Sequence, residues 1–442
     1  MDAPPTPELS LGRGPVELSE DSLHSCLTEP FVQSMNFLNE IVDRHPNAIS
    51  FAPGAPYEGF FEQLDVGRYV ERYAEHLRVD LGLDPERVRH VLYQYGPSRG
   101  QINSLLAQAL SADEAINVAP EAIVMTVGCQ EALFLTLRVL CSSHTDRIAV
   151  VAPAYVGLAG AASLLDVPVV SIGEGPDGID IEQLRDECDR GARSGERVRA
   201  VYVAPDFANP SGVRLDLPTR RRLLTEAERR DFLVIEDTAY RFTAADALPS
   251  LKSLDRRGRV VQVGTFAKVC LPGARVGYVV ADQTIRTRSG TTQRLADAIA
   301  TAKSFVTVNT SPLSQAVIGG MLLEHNGSLH QMARAKGAWY RRSLGLLLDE
   351  LEHHLAGPGS AWSWSVPEGG FFVRLTTPVP ADEALLELSA QEFGVLWTPM
   401  RYFHLTGDGD HQIRLSCSYL TEPQIREGVA RLTRFLRSLS GE

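Results

Sequence analysis

At 442 residues the chain is longer than one simple core accommodates, and its length favours one large domain with a smaller companion. Hydrophobic residues at 44% and charged residues at 22% are globular values, so disorder is not the default. A formal net charge of -12 lacks the basic excess of a nucleic-acid binder, and no nucleic-acid partner is expected. The opening MDAPPTPELS has neither a basic n-region nor an apolar h-region, and no apolar run is long enough to cross a bilayer. The cysteines Cys26, Cys129, Cys141, Cys188, Cys270 and Cys417 show no CxxC spacing for zinc or redox work, so no metal is expected. A reduced, cytoplasmic protein with no membrane partner is the simplest reading. Lysine is scarce: Lys252, Lys268, Lys303 and Lys336 are the only candidates for chemistry that needs a primary amine.

The stretch to about Glu29 is rich in Pro, Ser and acidic residues without periodicity and reads as an arm or frayed terminus. A helix is predicted around Phe31 to Arg44, then a short strand running into a turn over Ile49 to Pro56. From Glu121 apolar strands alternate with amphipathic helices. The strand candidates are Ile123 to Thr126, Arg147 to Ala152, Val167 to Ile172, Ala200 to Val203, Phe232 to Glu236, Val260 to Val263 and Arg275 to Val280. Helical patterns such as Gln130 to Leu140 and Leu217 to Glu228 lie between them, the trace of βαβ units and a mostly parallel sheet. A long helical region follows over Ser311 to Leu351, broken at Asn326-Gly327. Shorter strands come next, Trp362 to Val366, Gly370 to Leu375 and Gln412 to Ser416. The expected division is an N-terminal arm with part of a small domain (1–60), a large domain (61–325) and an α+β small domain (326–442).

Several strand ends carry chemistry. In Val263-Gly-Thr-Phe-Ala-Lys268 a strand ends at Gly264, which puts Lys268 on a loop where open α/β sheets place their ligands. A desolvated lysine there serves as a nucleophile toward an aldehyde, whereas a lone lysine on a turn is usually just a surface residue. Val234-Ile-Glu-Asp-Thr-Ala-Tyr240 puts Asp237 at the end of a buried strand, where an aspartate is otherwise a helix N-cap. Thr126-Val-Gly-Cys-Gln-Glu-Ala-Leu133 joins a strand to a helix, and amides at a helix N-terminus bind phosphate. Tyr202 to Gly212 contains Asn209-Pro210, ordinary turn punctuation in isolation. Tyr155 after Pro153 is by itself a core residue, and Arg414 in Gln412 to Ser416 by itself a surface ion pair.

Taken in order, with Tyr93-Gln-Tyr-Gly-Pro-Ser-Arg-Gly100 ahead of them, these segments resemble the fold type I pyridoxal-phosphate enzymes, in particular the class I/II aminotransferases, from about Ile49 to Leu432. The resemblance implies an α/β fold like that of aspartate aminotransferase, with a mostly parallel seven-stranded sheet in a large cofactor domain and a smaller α+β domain. It implies pyridoxal 5′-phosphate as the cofactor, held by Lys268 as a Schiff base. Thr265, Arg275 and the turn Gly128, Cys129 and Gln130 then hold the phosphate. Asp237 pairs with the pyridine nitrogen, Tyr240 and Asn209 bond the phenolic oxygen, and Tyr155 stacks on the ring. Arg414, with Asn209, takes the substrate α-carboxylate. The tyrosine matching Tyr95 reaches the phosphate of a partner subunit, which implies a homodimer with shared active sites.

The implied reaction is transamination of an α-amino acid to a 2-oxo acid. Decarboxylation, oxidative deamination and side-chain elimination or replacement use the same residues and stay open. A pyridoxal-phosphate-binding regulator is a further alternative, but it needs a basic winged-helix segment, and the residues before Ile49 are too few and too acidic. Three positions depart from the pattern: Ala267 and Cys129 replace more polar or smaller residues, and Leu105 replaces a frequent arginine. Phe60, Phe61, Tyr402 and His404 are candidate contacts for the substrate side chain.

Overall fold

The structure, a computed structural model, describes residues 16–28, 40–357, 362–405 and 407–440. The expected arm and most of the helix expected over Phe31 to Arg44 lie outside these residues, apart from 16–28 and a helical turn at 40–44.

After the two-residue strand β1 (Ile49–Ser50), seven strands build the main sheet: β2 (Ile123–Thr126), β3 (Asp146–Ala152), β4 (Val169–Gly173), β5 (Arg197–Val203), β6 (Leu233–Asp237), β7 (Val260–Thr265) and β8 (Gly277–Val280). Their order is β2-β8-β7-β6-β5-β3-β4, and only β8 runs antiparallel to its neighbours. Strands covered on both faces need apolar residues at every position rather than at alternate ones. Leu233-Val-Ile235 meets that need, and β6 is buried throughout, the acids Glu236 and Asp237 included. Alternate residues point to opposite faces. Ile148, Ile235, Val261 and Val263 join one core with Leu133 and Leu158, while Ala149, Val234 and Val260 join another with Leu184 and Leu223. The crossover helices are cut by local chemistry: Asp216 caps the helix Leu217–Arg230, accepting from Thr219 N–H at 2.7 Å.

The small domain holds β9 (Ser363–Trp364), β10 (Phe372–Thr376), β11 (Val395–Leu396), β12 (Thr398–Pro399) and β13 (Gln412–Ser416). Four of them form an antiparallel sheet in the order β9-β10-β13-β12, and β11 pairs in parallel with β1. Phe51, just after β1, is packed in this core with Leu347, Val373, Trp397, Ile413 and Leu432. The helix Leu329–Leu355 serves both cores: Leu329, Met332 and Ala333 pack in the large domain, Leu344, Leu347 and Leu351 in the small one.

The sequence-based boundaries shift where backbone geometry intervenes. Asp166 adopts φ +53° and Val167 N–H bonds back to Ala162, ending the preceding helix, so β4 starts at Val169 instead of Val167. Arg275 adopts φ +52° at the end of a short turn, and β8 starts at Gly277. The break at Asn326-Gly327 is present between helices Pro312–Glu324 and Leu329–Leu355, with both residues in the left-handed region.

Two helical glycines give a matched test of packing. A Cβ on Gly320 would stand 1.9 Å from the Tyr69 carbonyl oxygen of the helix Val66–Val79, whereas a Cβ on Gly345 would meet nothing within 4 Å. Gly320→Ala is expected to lower stability by roughly 1–3 kcal/mol through overpacking. Gly345→Ala is expected to raise it by about 0.5–1 kcal/mol through helix propensity. Denaturant unfolding of both variants checks the difference in sign.

Candidate active site

The parallel strands β3, β5, β6 and β7 all end toward one cavity of about 660 Å³, which the small domain closes from the other side. Its wall includes Cys129, Gln130, Tyr155, Asn209, Asp237, Tyr240, Thr265, Lys268, Arg275 and Arg414. This is the crevice outside the carboxyl ends of the strands, where an open sheet exposes loop side chains and unpaired backbone.

Lys268 stands on the loop after β7. The loop turns because Thr265 Oγ1 accepts from Ala267 N–H at 3.1 Å, and it is fixed beyond the turn by the Tyr340 hydroxyl donating to the Lys268 carbonyl at 3.1 Å. Lys268 Nζ donates to the Gly54 carbonyl at 2.8 Å and lies 5.7 Å from the ring centre of Tyr240. Burial, with the Arg414 and Arg275 guanidinium groups nearby, brings its pKa down to about 8, against the opposing pull of Asp237.

Asp237 is the last residue of β6 and is buried. Its Oδ1 accepts from Ala239 N–H at 2.9 Å; its Oδ2 accepts from the Tyr202 hydroxyl at 2.9 Å and faces the Cys129 thiol at 3.8 Å. Burial pushes the carboxyl pKa up, and these donors together with the Lys268 amine pull it back.

Arg414, on β13, is a buried cation held by neutral acceptors. Nη1 donates to Asn209 Oδ1 at 2.7 Å, and Nη2 donates to the Ala52 carbonyl at 2.6 Å and to Thr398 Oγ1 at 3.2 Å. The guanidinium lies between the rings of Phe372 and Phe403, with its centre 4.5 and 4.8 Å from theirs. Its Nε is buried without a partner, and no carboxylate pairs with it among the described residues. Burial brings its pKa down to about 10.

At the other end of the cavity the helix Gly128–Leu140 starts directly after β2. Gly128 sits at φ +76°, and a Cβ there would stand 2.5 Å from Arg275 Nη2, so the guanidinium lies against the helix N-terminus. Glu131 braces this turn from behind, accepting from Val127 N–H at 2.6 Å and from the buried Lys303 amine at 2.7 Å.

Of the residues expected to hold the cofactor or the substrate carboxylate, Gly128 underlies Arg275, and all others but one line the cavity. The exception is Tyr95, 79% exposed and away from the wall. Phe60, Phe61, Tyr402 and His404 also lie off the wall; Phe60 packs on Tyr57 and Trp339, and the Tyr402 hydroxyl donates to Glu383. Phe403 between them does reach the cavity. Sequence reasoning missed the carbonyls of Ala52 and Gly54, which carry no side-chain signal beyond a Pro-Gly turn, and the Tyr202 hydroxyl, hidden in a strand that reads as core.

Pyridoxal 5′-phosphate presents an aldehyde, a ring nitrogen, a phenolic oxygen and a phosphate. The cavity offers a counterpart to each: an amine, a buried acid, the Tyr240 and Asn209 side chains, and an arginine laid against a helix N-terminus. The residues present fit the group, and with this sheet they define a fold type I pyridoxal-phosphate enzyme.

Comparison with known proteins narrows the class. The family model for class I and II aminotransferases matches residues 82–432. The chain is 48% identical over 416 residues to the (S)-3,5-dihydroxyphenylglycine transaminase of Amycolatopsis orientalis, a match covering 94% of each protein. Among solved structures, the multiple substrate aminotransferase of Thermococcus profundus superimposes with a TM-score of 0.78 at 27% identity, covering 93% of this chain and 98% of the other. The kynurenine aminotransferase of Pyrococcus horikoshii, solved with PMP, gives 0.77 at 26% identity, covering 92% and 94%. The chain belongs to the class I and II aminotransferases, and it is a pyridoxal-phosphate-dependent transferase acting on an α-amino acid.

With Lys268 as the amine that takes the cofactor, its lowered pKa is expected to set a pH dependence for loading. Only the uncharged amine attacks an aldehyde, so the rate at which apoenzyme takes up pyridoxal 5′-phosphate is expected to rise with pH and level off above about 8. An unperturbed lysine, with a pKa of roughly 10.4, would still be gaining rate well above that point. Absorbance-monitored reconstitution across pH checks the position of the plateau.

Proposed function

We propose that the chain transfers the amino group of an aromatic α-amino acid, of the arylglycine kind, to a 2-oxo acid, as a cytoplasmic homodimer with two shared active sites. The observation that carries the amino-acid reading is Arg414: a buried guanidinium with an unused Nε and no acid partner among the described residues is a place made for a carboxylate. The side-chain reading rests on the relative whose name gives (S)-3,5-dihydroxyphenylglycine, and on the apolar part of the wall, Val42, Val156 and Phe403.

When bound, the cofactor supplies an aldehyde for amines and a ring that withdraws electrons from the substrate α-carbon. Lys268 carries it through Nζ. Once a substrate amine had taken that place, the freed Lys268 amine would accept the Cα proton and return it across the intervening nitrogen, to the former aldehyde carbon two atoms away. Asp237 favours a protonated ring nitrogen, and Tyr240 and Asn209 fix the phenolic oxygen. Arg275, Thr265 and the Gly128-Cys129-Gln130 turn hold the phosphate, and Tyr155 covers the ring. By holding the carboxylate in place, Arg414 decides that the Cα–H bond, rather than the bond to the carboxylate, stands where it is weakened.

Homodimer formation is supported by Tyr95 together with exposed Tyr93, Phe305, Val306, Val308 and Leu313. Gly96 approaches Asn309 and Pro312, which brings the two exposed segments together into one apolar surface suited to a second copy. A cytoplasmic location is supported by the six free cysteines.

Two experiments test this reading. Arg414→Ala is expected to lower kcat/KM for the amino donor by about 30-fold or more, because it strips a buried charge interaction; steady-state kinetics on (S)-3,5-dihydroxyphenylglycine and on aspartate reads both this loss and the preference for the aryl donor. A faster reaction with aspartate would overturn the side-chain assignment. In the second experiment, inactive Lys268→Ala and Tyr95→Ala proteins are mixed, unfolded and refolded. Hybrid dimers carry one intact site, so about a quarter of the wild-type activity is expected from an equal mixture. No recovery would refute shared sites.

A further inference from the structure

The mechanism above leaves one close polar contact in the cavity without a role. β5 and β6 are parallel neighbours in which Tyr202 pairs with Ile235. Side chains two residues apart share a face of a sheet, so Tyr202 and Ile235 lie on the same face as Asp237, two residues further along. The Tyr202 ring is packed with Ala200, Ile235 and Val263, and its hydroxyl donates to Asp237 Oδ2 at 2.9 Å.

The acceptor inventory of Asp237 gives this contact its meaning. A carboxylate has about four lone-pair sites. One on Oδ1 is used by Ala239 N–H, and one on Oδ2 by Tyr202; the Cys129 thiol, at 3.8 Å and a weak donor, takes little. Donors on both oxygens fix the carboxylate plane and leave acceptor capacity for one further N–H. They also oppose burial, which favours the neutral acid. Burial holds the Tyr202 phenol pKa far above its ordinary value, so this hydroxyl keeps its proton and acts as a donor.

We propose that Tyr202 is a positioning residue for amino transfer: its hydroxyl holds the Asp237 carboxylate ionised and aimed, so that the proton shared with the cofactor's ring nitrogen stays on the ring. The proposal rests on the reading of Asp237 given under Proposed function. Without the hydroxyl the carboxylate becomes more basic and competes for that proton, and the ring withdraws electrons less strongly.

The test compares Y202F, D237N and the double variant as cofactor-loaded enzymes. Y202F keeps the ring and its packing. It is expected to lower kcat by about tenfold with little change in KM, and to move the pH midpoint of the cofactor's absorption band upward by roughly half to one unit. In the D237N background the same substitution is expected to change kcat by no more than about twofold, because the group it acts through is gone. 3-Fluorotyrosine at position 202, a stronger donor that keeps the hydroxyl, is expected to move the midpoint the opposite way and carries the test independently of Y202F. Wild-type kcat and spectrum in Y202F beside a disabled D237N would overturn the proposal alone, as would equal losses from Y202F in both backgrounds. A D237N enzyme with wild-type kcat and spectrum would overturn the Asp237 reading and the proposal with it.

Discussion

The structure depends on a charge imbalance that the protein alone does not resolve. Lys268, Arg275 and Arg414 bring three cations to one cavity, and among the described residues Asp237 is the one buried acid on its wall. Charges removed from water are costly unless paired, and Arg414 is held only by a carboxamide, a carbonyl and a hydroxyl. The lowered pKa values of Lys268 and Arg414 are the local expression of that cost. On the function proposed above, a phosphate at the Arg275 end and a carboxylate at the Arg414 end would restore the balance, so binding energy at both ends of the cavity would be available to hold the reacting atoms between them.

Keeping such a site open requires rigid surroundings, which a second buried network supplies. Asp206 accepts from Arg220 at 2.6 Å and from Arg241 at 3.0 Å, and Arg241 also pairs with Glu114. Asp206 lies three residues before Asn209, and Arg241 directly follows Tyr240. One ionic cluster thus anchors both the Asn209 and the Tyr240 segments, the two donors to the phenolic oxygen in the function proposed above. It also stabilises the loop in which Phe207 adopts φ +58°. Breaking a buried pair of this kind leaves an uncompensated charge, at a cost of about 3–5 kcal/mol, so the geometry of the two donors is bound to the stability of the fold.

Much of this was legible in the sequence because strand runs and strand-end motifs are local. The runs from Ile123, Val260 and Gln412 are apolar enough to be seen as strands, and the lysine at 268 follows one of them directly. The short strand at Ile49 was legible from the turn that follows it, whereas the two-residue strands Val395–Leu396 and Thr398–Pro399 are too short to show a period. The Asp206 cluster joins four distant segments, and no local pattern announces it. Arg414 alone would read as a surface ion pair; only the fold shows a guanidinium buried between Phe372 and Phe403. Tyr202 read as core, and its ring is core. Its hydroxyl acquires meaning from the register of β5 on β6, which sequence does not fix.

The three departures from the family pattern become intelligible in the same terms. Leu105 is buried in the helical core of the large domain, away from the cavity. Ala267 contributes its backbone: its N–H closes the turn on Thr265 Oγ1, so the loop carrying Lys268 keeps its shape without a hydroxyl at 267. Cys129 is different, because its side chain faces Asp237. A thiol is a poor donor, and burial holds its pKa well above the ordinary value, so it lends the carboxylate neither a strong hydrogen bond nor a compensating charge. Support for the acid on that side falls to the tyrosine at the end of β5. The side-chain donor that fixes Asp237 Oδ2 therefore comes from the neighbouring strand, and not from the start of the helix Gly128–Leu140.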